Sequence, residues 1–147
     1  MSQRYVSFRL GGGLYALAAA QVERIFAPGE PVPLPGAPPA VRGLAPDEGR
    51  LVALIELAPL LGLPIPPGPR SAMALTIPHR GLALLVPPPA EVEEGEPLRG
   101  AGEASVLLGG GPAQLLTAEE LTGLLTRAVV TGRAPGPDEV PPPAGTG

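Results

Sequence analysis

The sequence predicts a mostly β protein of the small-barrel type, and three observations carry that prediction. Short apolar segments alternate in steps of two, as in "YVSFRL", where Val6, Phe8 and Leu10 share one face and Ser7 and Arg9 the other. Glycine runs at Gly11–Gly13 and Gly109–Gly111 separate such segments as hairpin turns. Helical spacing closes the sequence at "TAEELTGLLTR", where Leu121, Leu124 and Leu125 form one apolar stripe. Short strands, three hairpins and one closing helix suit small barrels.

Each element follows in order. "LYALA" returns after the first glycine run as the second strand of a hairpin. "AAQVERIF" spaces Val22, Ile25 and Phe26 three and four apart, which fits a helical turn or a bent strand end. The proline-dense loop between Ala27 and Val41 excludes a helix or a central strand and leaves room for a short extended edge. "VRGLAPDEGRLVALIELAPLLGLP", from Val41 to Pro64, reads as a strand, a turn carrying acids, a longer strand and a clipped helix. Leu51 to Ile55 are consecutive apolar residues, the mark of a strand covered on both faces. Pro59 suits a first helical turn and Gly62 a helix stop.

"PIPPGPR" reads as a linker, and "MALTIP" and "GLALLV" form a hairpin about a turn at His79 and Arg80. "PPPAEVEEGEP" reads as an acidic loop with an edge strand at Glu91–Glu93. "ASVLL" and "AQLL" pair across the second glycine run. Thr117 with Glu120 three residues on is a capping box. From about Arg133 the sequence has no periodicity and is expected to be disordered.

Composition excludes several classes. At 147 residues the chain is one domain's worth, divisible into two small lobes. Such a chain buries roughly 68–70% of its unfolded surface and needs no covalent staples. It has no cysteine, hence no disulfide, thiolate metal site or thiol nucleophile, which fits a reducing cytoplasm. The first residues lack a signal peptide's apolar run, and prolines interrupt every candidate for the ~18 apolar residues of a membrane span, so a soluble protein is expected. A net charge of −4 and only four aromatics (Tyr5, Phe8, Tyr15, Phe26) argue against nucleic acid. Lysine and asparagine are absent while proline and glycine number 23 and 21, a pattern that GC-rich coding or life at high temperature would each produce.

No motif points to catalysis. His79, the one histidine, sits in a turn with no nucleophile or orienting acid beside it. The glycine runs open no helix and lack the lysine or serine of a phosphate-binding loop. Glu91, Glu93, Glu94 and Glu96 lack the spacing of a calcium loop and read as solvated. No serine lies in a nucleophile elbow. No cofactor and no metal are expected.

Taken in order, "YVSFRLGGGLYAL", "VERI", "PLPGAPPAVRG", "GLAPDEGRLVALIELAPLLGLP", "RGLALLVPPPAEV" and "GGPAQLLTAEEL" make the chain similar to the CheW-like domain of bacterial chemotaxis coupling proteins, over about residues 4 to 128. That resemblance implies two small five-stranded barrels, SH3- or OB-like, packed together with a short C-terminal helix. The CheW-like domain would span 1–132, with lobe one at about 1–66, lobe two at about 70–132 and strands free to exchange between them, followed by a tail at 133–147. It also implies a non-catalytic adaptor. Its partners would be the regulatory domain of a CheA-type histidine kinase and the cytoplasmic tip of a methyl-accepting chemoreceptor, with no nucleic acid and no membrane insertion. Partner-binding residues carried over on this basis are Val22, Arg24, Ile25, Gly43, Glu48 and Leu51, core packing being the competing role for Val22, Ile25 and Leu51.

The chain departs from the family pattern at two charges. Arg24 stands where V-x-E-I has its acid, Glu48 where N-L-R-G has its base, and Pro46-Asp47 replace Asn-Leu. Arg24 and Glu48 are therefore expected to face each other as an ion pair of inverted polarity. Two other functions compete with the adaptor: a small β-barrel that binds a ligand, and an array component that never touches a kinase.

Overall fold

The computed structural model describes residues 3–65, 72–98 and 104–130, with side chains through residue 127. The expected tail at 133–147, and all but the first two residues of the expected linker, lie outside the described residues. Strands β1 (Gln3–Leu10) and β2 (Gly13–Ala18) form the first hairpin, and a 3-10 turn at Ala19–Gln21 leads to β3 (Arg24–Phe26). Both readings of "AAQVERIF" thus hold in succession. Then come β4 (Val41–Asp47), β5 (Arg50–Glu56), the single-turn helix α1 (Leu57–Leu60), β6 (Met73–Ile77) and β7 (Leu82–Val86). The chain continues through β8 (Glu91–Leu98), β9 (Ser105–Leu108), β10 (Gly111–Leu116) and α2 (Ala118–Val130).

The strands make two five-stranded units. One is a closed barrel in the order β1-β2-β10-β9-β8, with β8 returning to β1. The other runs β3-β6-β7-β5-β4 and rolls up until its edge strands β3 and β4 face each other. The lobes are not consecutive in sequence. A division near residues 66–70 cuts the second unit, whose strands run from Arg24 to Val86, while the first takes its strands from both ends of the chain. The physical reason lies in the parallel pairs, β2 with β10 and β5 with β7. No tight turn can join parallel neighbours, so the whole second unit fills the connection between β2 and β10. Periodicity reveals strands but not their partners.

β8 also departs from the expected acidic loop with a short edge at Glu91–Glu93. It is an eight-residue barrel strand paired on both sides, with β1 and β9. Its residues are exposed apart from Glu93 and the buried Gly95, so it carries no alternating apolar face to betray it. Glycine at 95 has a steric cause: a Cβ there would stand 2.6 Å from Leu108 Cδ2 and 2.9 Å from Val106 Cγ2.

The core has three parts. Tyr5, Ala16, Val106, Leu108 and Ala113 fill the first barrel, and Ala45, Val52, Leu54, Ala74, Ala83 and Leu85 fill the second. Between the barrels, Val6, Phe8, Leu10 and Leu17 meet Ile55, Leu75, Ile77, Leu84 and Val86, with Leu121 of α2 joining them. β1 is therefore buried on both faces along most of its length, and Ser7, read as solvent-facing, is buried. Its hydroxyl is satisfied by the Glu93 carboxylate, Oγ to Oε2 at 2.5 Å.

The capping box forms: Glu120 N–H donates to Thr117 Oγ1 and Thr117 N–H to Glu120 Oε1, each at 3.1 Å. Gln21 Oε1 accepts from the Ala118 N–H at 2.8 Å, tying the helix start to the 3-10 turn. Thr117→Ala is expected to lower stability by about 1 kcal/mol, read as a shift of the denaturant midpoint at unchanged slope.

Candidate functional site

The site is built on the seam of the second barrel. Arg24 opens edge strand β3, where Thr76 of β6 holds its backbone: Arg24 N–H donates to Thr76 Oγ1 at 2.7 Å, and the hydroxyl donates back to the Arg24 carbonyl at 3.3 Å. The side chain crosses the seam to the end of β4. Its Nε lies 2.7 Å from Asp47 Oδ1 and its Nη1 3.2 Å from Glu48 Oε2. The guanidinium also sits over the Phe26 ring, 5.4 Å from the centroid, a cation–π contact. Asp47 is the buried member, its side chain 3% exposed against 67% for Glu48. A carboxylate this deep must be paired, so Arg24 clamps the seam chiefly through Asp47.

The other end of the β4–β5 ribbon has its own pair, Arg42 Nη1 to the buried Glu56 Oε2 at 2.9 Å. The ribbon turns through Glu48 (φ 52°) and Gly49 (φ 83°), a two-residue loop with both angles positive, as the right-handed strand twist favours.

The rest of the β4 edge is covered by the proline loop. Val32 and Leu44 exchange two backbone hydrogen bonds of 2.8 Å, the extended edge the loop was expected to hold. Gly43 makes that approach possible: its φ is 143° and an added Cβ would lie 2.3 Å from the Val32 carbonyl oxygen. Pro46, further along, has no N–H to offer a new strand, a device that blunts sheet edges.

Register fixes what the ribbon shows to solvent, because residues opposite each other share a face. Ala45 and Val52 pair and point inward. Leu44 therefore faces outward with its bridge partner Val32, and Pro46 outward with Leu51. Leu51 and Val32 are 63% and 58% exposed. Along β5 the outward residues grade from Leu51 in solvent through half-buried Ala53 to buried Ile55. The result is an apolar face that runs from the interbarrel core out into water, beside a charged clamp.

The family model of the CheW-like domain matches residues 4–97, well over half of the chain. The chain belongs to the CheW-like domain family. Among solved structures it is similar to the scaffolding protein TtCheW from Thermoanaerobacter tengcongensis, with a TM-score of 0.61 and 17% identity over 78% of this chain and 88% of that one. No curated protein matches the sequence. The CheW-like family is one of non-catalytic chemotaxis scaffolds and adaptors. The family model stops at residue 97, whereas the closed barrel of this CheW-like chain needs β9 and β10 beyond it.

Within the CheW-like fold, the residues singled out from sequence separate into groups. Arg24 and Glu48 meet at the seam, Gly43 underlies the edge beside them, and Leu51 stands on the exposed face. Val22 and Ile25 are half-buried and pack against the interbarrel core. Sequence reasoning missed Asp47 and Val32. The signal for Asp47 was its place in step with Gly43 and Ala45 on the inward face of β4, where an acid demands a partner. His79 is an exposed turn residue at φ 64°. Among the described residues, no group of three or more His, Cys, Asp or Glu side chains is placed to hold a metal ion, and no helix is long and apolar enough to cross a membrane.

Proposed function

We propose that this protein is a non-catalytic adaptor that couples methyl-accepting receptors to a CheA-type histidine kinase, in chemotaxis or surface-motility signalling. It would work in the cytoplasm, recruited to receptor arrays at the inner membrane face. The observation that carries this reading is the exposed apolar face of Val32, Leu44, Pro46 and Leu51, held in place by the Arg24 clamp in a CheW-like fold. Apolar side chains left in water on a rigid ribbon are the usual core of a protein contact.

An adaptor needs two surfaces, and the first barrel offers another. Leu98 and Leu107 lie on its outer face and Val92 at its margin, each at least two-fifths exposed. Two modest contacts joined in one rigid body gain from effective concentration, so neither need be tight alone. Gly43 acts in this scheme by shaping the ribbon and Val22 and Ile25 by packing against the interbarrel core, while Arg24, Glu48 and Leu51 meet the partner.

The test is capture of purified kinase regulatory domain and of a receptor cytoplasmic tip on the immobilised chain. Both should bind, and Leu51→Asp should weaken one of them about tenfold or more while moving stability by no more than about 0.5 kcal/mol. Retention of the receptor with loss of the kinase would instead indicate an array component. Failure of both would favour a ligand-binding barrel and refute the adaptor.

A further inference from the structure

We propose that the mouth of the second barrel is a receptacle for a cationic side chain, an arginine or lysine, presented by a docked protein partner. A hollow of about 260 Å³ opens there, lined by Asp47, Thr76, Leu51, Arg50, His79 and Glu23 among others. Asp47 and Thr76 are buried, 4% and 2% exposed, and form its floor. Asp47 lines the hollow and Arg24 does not, while Arg24 Nε holds Asp47 Oδ1 at 2.7 Å.

Among the described residues, a donor reaches one of the two Asp47 oxygens. Oδ1 accepts from Arg24, and Oδ2 receives no hydrogen bond from any described residue. Glu93, beside the larger hollow of about 490 Å³ on the first barrel, is a contrast: Ser7 Oγ and the Gly109 N–H occupy its two oxygens. A carboxylate accepts more than one donor, and a cationic side chain entering the hollow would supply a charge-assisted one.

Charge selects a cation. Arg24 bears one positive charge against two carboxylates, Asp47 and Glu48. On the rim, Glu23 balances Arg50, so the mouth keeps an acidic excess. About 260 Å³ is room enough for one side chain. Leu51, 63% exposed, stands on the same rim. The entering side chain therefore has an apolar neighbour on its own surface that covers Leu51. This inference rests on the adaptor reading.

Two measurements test it. In the first, the ¹⁵N-labelled full chain is titrated with N-acetyl-arginine methylamide at millimolar concentrations. Saturable shifts at the amides of Asp47, Arg50, Leu51, His79 and Gly81 are expected, with none from the uncharged citrulline analogue. Absence of saturable shifts, or equal shifts with citrulline, would overturn the proposal. Arg50→Gln, which removes the rim's own cation, should leave probe binding at least as tight. Loss of binding in that variant would also count against it.

In the second, Asp47→Asn should bind either the kinase regulatory domain or the receptor tip about tenfold more weakly. If the wild-type chain binds a partner and Asp47→Asn binds it equally, the cation receptacle is wrong and the adaptor stands. If the wild-type chain binds neither partner, the adaptor reading itself fails. Should Asp47→Asn not fold, the wild-type titration decides.

Discussion

Arg24→Ala is expected to destabilise the protein by about 2–4 kcal/mol, between the small worth of an exposed pair and the 3–5 kcal/mol of a broken buried one. Asp47 would be left buried without its cation, and the ion pair that spans β3 and β4 would be lost. Double-mutant cycles apportion the effect. Coupling of Arg24 to Asp47 should be about 2 kcal/mol or more, and coupling to the exposed Glu48 no more than about 1 kcal/mol. The reverse ranking would show that the surface contact dominates.

The same geometry predicts how the family's usual polarity can be restored. Arg24→Glu with Glu48→Arg places an acid against Asp47 and should be less stable than the wild type. Adding Asp47→Leu, the residue of the family pattern, should recover most of that loss. Thermal unfolding of the wild type and the two variants measures this. Equal stability of the double and triple variants would remove Asp47 from the account.

Gly43→Ala should cost about 3 kcal/mol or more, because the backbone angle and the close approach act together. The obstacle is the Val32 carbonyl, 2.3 Å from the added Cβ, and a backbone atom cannot swing aside as a side-chain tip can. The two hydrogen bonds between Val32 and Leu44 should open first, seen as faster amide exchange at both residues than elsewhere in β4. A loss below about 1 kcal/mol would mean that the loop yields cheaply.

Much of this was legible in the sequence, and the gaps have causes. The hairpins at the glycine runs and the capping box followed from local pattern, and the meeting of Arg24 with Glu48 followed from the two charges at which the chain departs from the family it resembles. Those features depend on neighbours in sequence or on one stated pairing. Exchange of strands between the lobes was allowed for, but which strands exchange did not follow, because pairing is set by packing at long range. β8 stayed hidden because its residues are mostly exposed, which removes the alternation that marks a half-buried strand. β1 misled in the opposite direction: its small polar Ser7 alternates correctly yet points into a barrel and meets Glu93. The reversed charges lie at Arg24 and Glu48, and only burial shows that Asp47 is the acid Arg24 needs more.

Receptor control of kinase autophosphorylation is the sharpest test of whether the chain couples two signalling proteins without chemistry of its own. Receptor, CheA-type kinase and this chain are reconstituted together, and phosphate incorporation is followed with and without the chain. The kinase is expected to answer to the receptor only when the chain is present, and Leu51→Asp to abolish most of that response. Identical phosphorylation with and without the chain would contradict it.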